Sequence, residues 1–272
     1  MRLALAEDAA RSDHTTRAVV AEDAVGSGSI IFKEEGVLCG MPFVDAVFAE
    51  LDERVVVKHW FEEGADIGAG SVVATVRGPV RAVLSGERTA LNFLSLLSGI
   101  ATETRTLVRV LEPYGCRVYD TRKTHPGLRE AEKYAVRVGG GHNHRATLAE
   151  ALFVKDNHIR AAGGLEEALA RTSAWRAGLP LIVEVETVDE ARRACAYAPD
   201  VLLCDNMSPE EITAVLRIAG ESIEVEASGG VTPANAAAYA EVGVKRISTS
   251  AITMRARPID VSLEIDGASG RA

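Results

Sequence analysis

Six polar residues stand at or just past the ends of short apolar runs: Asp120, Lys155, Glu184, Asp205, Ser228 and Ser248. The runs are Cys116-Arg117-Val118-Tyr119, Leu152-Phe153-Val154, Leu181-Ile182-Val183, Val201-Leu202-Leu203-Cys204, Ile223-Glu224-Val225-Glu226 and Lys245-Arg246-Ile247. In a parallel α/β barrel the chemistry sits at the carboxyl ends of the strands, so all six residues are candidates for one shared site. Glu184 and Asp205, at successive ends, offer the hard oxygens that hold Mg²⁺ jointly with substrate phosphates. The alternative is a salt bridge to a barrel lysine. Ser228-Gly229-Gly230 lets backbone N–H groups approach a phosphate, and a helix start expected at Thr232-Pro233 would add a favourable dipole; a plain turn is the rival reading. Ser248-Thr249-Ser250 could add hydroxyl donors from the neighbouring loop.

The densest basic cluster is Arg122-Lys123 with His142, His144 and Arg145. His142-x-His144 lacks a third ligand at convincing spacing for zinc. The chain carries 30 basic and 39 acidic residues, a net charge of −9, which disfavours nucleic acid and anionic membranes as partners. A basic cluster in such a chain points to a small polyanionic ligand held through bidentate and point-charge contacts.

The elements that must position these residues change character near residue 86. Before it, Ser29–Phe32, Val55–Lys58 and Ser71–Val76 read as strands, with a possible helix over Pro42–Leu51, giving a small α+β domain. A long helix is expected from Glu87 to about Leu111. After it, strands alternate with helices announced by Thr187-x-x-Glu190, Ser208-Pro209-x-Glu211 and Thr232-Pro233. Six such units predict a closed or nearly closed α/β barrel, with an open doubly wound sheet as the alternative. The 47% hydrophobic content of the 272 residues supports a sizeable core. The four cysteines, scattered without close pairing, fit reduced thiols in a cytoplasm. No apolar run approaches the ~20 residues of a membrane span. No export signal is read at the N-terminus, and the terminal GASGRA reads as a frayed tail.

At these motifs the sequence resembles the quinolinate phosphoribosyltransferase family. The resemblance rests on Glu7-Asp8 with Asp13-His14-Thr15-Thr16, ERTALNFLSLLSGIAT from Glu87, and DTRKTHPGLREAEKYAVRVGGGHNHR from Asp120. It continues through VKDNHI from Val154, EVE at Glu184, CDNM at Cys204, EASGG at Glu226 and GVKRIS. It implies an N-terminal α/β sandwich domain over 1–99 and a C-terminal, TIM-like α/β barrel of seven strands over 100–272, whose tail could pack back on the first domain. It also implies Mg²⁺-dependent transfer of phosphoribose from phosphoribosyl pyrophosphate to quinolinate. The assembly would be a homo-oligomer, dimer or hexamer, with shared active sites and no nucleic-acid or membrane partner.

Residue by residue, the resemblance sends Arg88 into a partner's site and assigns Arg122, His144 and Arg145 to the quinolinate carboxylates. Lys123 and Lys155 would lie between quinolinate and the diphosphate. Glu184 and Asp205 would hold magnesium and the ribose hydroxyls; Lys123, Glu184 and Asp205 form the catalytic set. Ser228, Gly229 and Gly230 would bind the 5′-phosphate together with the loop at Ser250, where the family usually has glycine. A paralogue acting on a related pyridine carboxylate, a Schiff-base aldolase using Lys123 or Lys155, and a non-catalytic relative are the competing classes.

Overall fold

The structure, a computed structural model, describes residues 1–269. The chain forms two compact units, one of Met1–Glu103 together with the chain from Ala256 on, the other of Thr104–Arg255.

The first unit carries β1 (Val25–Phe32), β2 (Gly36–Val37), β3 (Val56–His59), β4 (Asp66–Ile67), β5 (Val72–Pro79) and β12 (Val261–Ser269). A four-stranded sheet runs in the order β12-β1-β5-β3, and β2 pairs with β4. The inward residues of β1, Ile30 and Phe32, are fully buried with Val44, Val47 and Phe48 of the helix Met41–Leu51. The expected frayed tail is corrected in part: Gly267, Ala268 and Ser269 pair antiparallel with Ser27, Gly26 and Val25. The last three residues of that tail, 270–272, lie outside the described residues.

The long helix runs Val80–Leu111 and begins seven residues before the expected Glu87. Gly86 looked like a boundary, yet it lies inside the helix: a Cβ there would sit 2.7 Å from Leu51 Cδ1 and 3.1 Å from Phe48. Its role is close packing against the helix Met41–Leu51. Further along, Ala90, Leu94, Leu97 and Ala101 are fully buried, at the spacing of one helical face.

The second unit holds β6 (Arg117–Tyr119), β7 (Leu152–Val154), β8 (Leu181–Val185), β9 (Val201–Asp205), β10 (Glu224–Ser228) and β11 (Arg246–Ser248). They form a six-stranded parallel sheet in the order β6-β11-β10-β9-β8-β7. Beside β6 the chain returns as a single parallel bridge between Tyr119 and His142, so the described residues contain six paired parallel strands and this bridge in place of seven full strands. The interior residues Leu181, Val183, Leu202, Cys204, Ala227 and Ile247 are fully buried, as expected for strands covered on both faces.

The helix starts came out unevenly. Ser208 and Glu211 form the complete reciprocal cap. Thr187 accepts from the Glu190 N–H, but the Glu190 carboxylate accepts from the Glu186 N–H, one residue too early. The start expected at Thr232-Pro233 is corrected to Ala236. Asn235 is the reason: its side-chain oxygen accepts from the Thr232 N–H at 2.7 Å and its amide donates to the Gly230 carbonyl, closing a turn before the helix.

Candidate active site

Parallel register gathers the strand ends into a row. Asp205 lies opposite Ser228, Ser228 opposite Ser248, and Ser248 opposite Tyr119, across four adjacent strands. Glu184 lies opposite Leu203 on the next strand over. Above this row opens a cavity of about 450 Å³ within the second unit.

Nine of the residues named from sequence line it: Arg122, Lys123, His144, Arg145, Lys155, Glu184, Asp205, Ser228 and Ser248. Gly229, Gly230 and Ser250 are not among its lining residues, and Arg88, in the first unit, is exposed on the helix Val80–Leu111. Sequence reasoning missed Phe153 and Asp156 as lining residues. Asp156 directly follows a named strand end, which is a usable signal; Phe153 lies inside an apolar run and carried none.

Of the strand-end carboxylates, Asp120 serves structure. It is fully buried, with Lys133 Nζ 2.5 Å from its Oδ1, the Asn143 amide at 2.6 Å and the His144 N–H at 2.7 Å. Lys133 also donates to the His144 carbonyl at 2.8 Å. This network pins the backbone on either side of His144, which is how an invisible carboxylate shapes the cavity wall.

His144 differs from the cation expected at its position. Its Nδ1 accepts from the Arg145 N–H at 2.9 Å, which puts the ring proton on Nε2. Burial, then the charges of Arg246, Lys133, Arg145 and Lys155, push its pKa down to about 3, so the ring is neutral at physiological pH. Nε2 has no protein partner, and its nearest carboxylate oxygen, Glu226 Oε1, is 3.8 Å away and also unpartnered. His144 therefore presents a neutral N–H donor. His142, grouped with it in sequence, stacks on Tyr119 at 5.3 Å and does not line the cavity.

The cations are arranged around this donor. Burial and the adjacent Arg122 lower the Arg145 pKa, and Arg145 donates to the Ala151 carbonyl at 2.8 Å. Arg122 Nε is buried without a protein partner. Lys155 is ion-paired with Glu184, so the salt bridge that rivalled the magnesium reading is present. Asp205 has no ion-pair partner among the described residues and accepts only from the Asn206 side chain, at 3.1 Å.

The phosphate loop has a shape of its own. The Ser228 and Ser248 hydroxyls lie 3.1 Å apart. Gly229 and Gly230 both adopt positive φ, +84° and +61°. A Cβ on Gly229 would meet Asn206 Oδ1 at 2.3 Å, whereas a Cβ on Gly230 would enter open space. Because the following helix has only six residues and starts at Ala236, its dipole is displaced from Gly230 by a turn. Ser250 is the N-cap of the short helix Ala251–Met254, its carbonyl accepting from the Met254 N–H at 2.8 Å.

Comparison with known proteins gives a consistent answer. Residues 13–98 match the quinolinate phosphoribosyl transferase N-terminal domain, and residues 100–264 match the C-terminal domain. A probable nicotinate-nucleotide pyrophosphorylase [carboxylating] of Synechocystis sp. is 42% identical over 266 residues, covering 96% of this chain and 90% of that protein. The Bacillus subtilis protein of the same description is 39% identical, covering 95% and 90%. The solved nicotinate-nucleotide pyrophosphorylase of Francisella tularensis superposes with a TM-score of 0.92 at 39% identity, covering 97% of this chain and 94% of that one.

Proposed function

The chain belongs to the quinolinate phosphoribosyltransferase family, and we propose from that premise how its own side chains divide the reaction. The protein transfers phosphoribose from phosphoribosyl pyrophosphate to quinolinate with loss of carbon dioxide, giving nicotinate mononucleotide and pyrophosphate in NAD biosynthesis. The observation that carries the reading is that one cavity is lined by two kinds of group, the donors Arg122, Arg145 and His144 and the strand-end groups Glu184, Asp205 and Ser228, which we assign to separate sides of the bound substrates.

On the first side, Arg122 and Arg145 take the two ring carboxylates of quinolinate, and the His144 Nε2–H donates to one of them. Arg145 makes no ion pair among the described residues, Glu150 acting on it only from a distance, so its charge is available to the ligand. On the second side, Asp205 and Glu184 hold the ribose hydroxyls, and the Ser228-Gly229-Gly230 backbone, with the loop at Ser250, receives the 5′-phosphate. Lys123 and Lys155 lie between the two and meet the leaving diphosphate.

The ring nitrogen attacks the anomeric carbon while the bond to pyrophosphate breaks. The developing oxocarbenium charge is stabilised by the nearby carboxylates, and the charge on the leaving group by the lysines. The carboxylate beside the now cationic nitrogen then leaves as carbon dioxide; the electron pair stays on that ring carbon, stabilised by the adjacent positive nitrogen, and takes up a proton from solvent to give nicotinate mononucleotide. No protein nucleophile is needed.

The paired carboxylates Glu184 and Asp205 suit Mg²⁺, which keeps waters and shares its ligands with substrate phosphates. When bound, it would neutralise the diphosphate oxygens. Glu184 would leave Lys155 to reach it. Exposed Arg88, without an ion-pair partner among the described residues, supports a homo-oligomer, dimer or hexamer, that completes each site from a partner subunit. No described helix is long and apolar enough to cross a membrane, and the four free thiols support a cytoplasmic setting.

The test is mass-spectrometric product analysis with both substrates, with and without chelator. Nicotinate mononucleotide formed only without chelator supports the reading. Intact quinolinate overturns it, and full turnover in excess chelator overturns the magnesium assignment.

A further inference from the structure

Phe153 lies on β7, the edge strand of the parallel sheet, opposite Ile182. Its side chain packs against the small apolar cluster of Ala151, Ile182, Val201 and Leu203, and it also lines the cavity. Three of the polar groups assigned to the substrates meet this one ring. The His144 imidazole stacks on it at 5.6 Å with 20° between the planes. The Arg145 guanidinium carbon is 4.9 Å from its centroid, and Lys155 Nζ is 4.2 Å away.

That arrangement does something an aliphatic residue cannot. Among the described residues Arg145 has one side-chain hydrogen bond, to the Ala151 carbonyl, and no ion pair to fix it. Two cations approach the same ring in a half-buried cavity, where they repel each other. The negative face of an aromatic ring attracts both, by about 0.5–2 kcal/mol each depending on desolvation, and it consumes none of their N–H donors. A leucine would fill much of the space but carries no such quadrupole.

We infer that Phe153 is a positioning residue for the acid substrate, holding Arg145 and His144 in place while leaving their hydrogen-bonding capacity to quinolinate. This rests on the functional reading above for the identity of the acid.

The test compares Phe153→Leu and Phe153→Tyr with the unaltered protein in steady-state kinetics on both substrates, with thermal midpoints measured alongside. Phe153→Leu should raise the quinolinate KM by about tenfold and change the phosphoribosyl pyrophosphate KM by less than about threefold. Phe153→Tyr, which keeps the ring, should return the quinolinate KM to within about threefold of the unaltered protein. A Phe153→Leu protein indistinguishable from the original, a Tyr variant as impaired as the Leu variant, or equal KM changes for both substrates would each overturn the inference. Unaltered protein that does not turn over quinolinate would overturn the functional reading itself, and this inference with it.

Discussion

Lys133, on the helix Arg129–Val138, reaches the end of β6 and places its ammonium 2.5 Å from the Asp120 carboxylate, with the two residues 2% and 0% exposed. The pair forms the floor under the NHR segment, because the same ammonium and carboxylate also bond the carbonyl and N–H of His144. Removing one partner strands the other charge in the interior, a loss of roughly 3–5 kcal/mol. Asp120→Asn and Lys133→Met should each lower the denaturant midpoint accordingly. Loss of less than about 1 kcal/mol in either variant would mean the pair is not the anchor described.

His144 makes a pH-dependent prediction. Its pKa is depressed to about 3 in the folded protein, against about 6.5 unfolded. Between those values the unfolded chain binds the extra proton, so stability rises with pH and falls as pH drops. The loss approaches about 1.4 kcal/mol per pH unit below ~6.5 and levels off near 3. His144→Gln should remove about one proton's worth of that slope from stability measured across pH 4–7. Quinolinate affinity should also stay flat as pH rises from 6 to 8, since a neutral donor has no charge to lose there. Affinity that falls with a midpoint near 6.5 would show that the cationic ring is the binding form.

Gly229 and Gly230 should respond differently to the same change. Alanine at either position meets a positive φ, which costs roughly 1 kcal/mol for an ordinary residue. At Gly229 the added carbon would also sit 2.8 Å from the Asn206 backbone nitrogen, so the loop itself must shift. Gly229→Ala should therefore lower stability and weaken phosphoribosyl pyrophosphate binding together. Gly230→Ala should fold nearly normally, and any loss should show as phosphate affinity alone, read by titration calorimetry. Equal behaviour of the two variants would contradict the loop geometry.

What could be read from the sequence was whatever depends on local pattern. Apolar runs closed by Lys155, Glu184, Asp205 and Ser228 gave both the strands and the cavity face, because in-register parallel strands bring their ends together. Asp120 shows the limit: a carboxylate at a strand end looks the same in sequence whether it faces substrate or Lys133. The neutral state of His144 was hidden because it comes from burial and from four cations, of which only Arg145 is its neighbour in the chain. Phe153 was hidden because a phenylalanine in a strand reads as core. Gly86 misplaced a helix start because its close packing partner, Leu51, lies on another helix.

Titration calorimetry of Arg145→Ala with each ligand separately shows whether the Arg122, His144 and Arg145 group and the strand-end group serve different substrates. Truncating one charged partner in a desolvated site costs roughly 2–5 kcal/mol. Quinolinate affinity should fall by well over tenfold, with phosphoribosyl pyrophosphate affinity in the presence of Mg²⁺ nearly unchanged. Equal losses for both ligands, or undiminished quinolinate binding, would contradict this assignment.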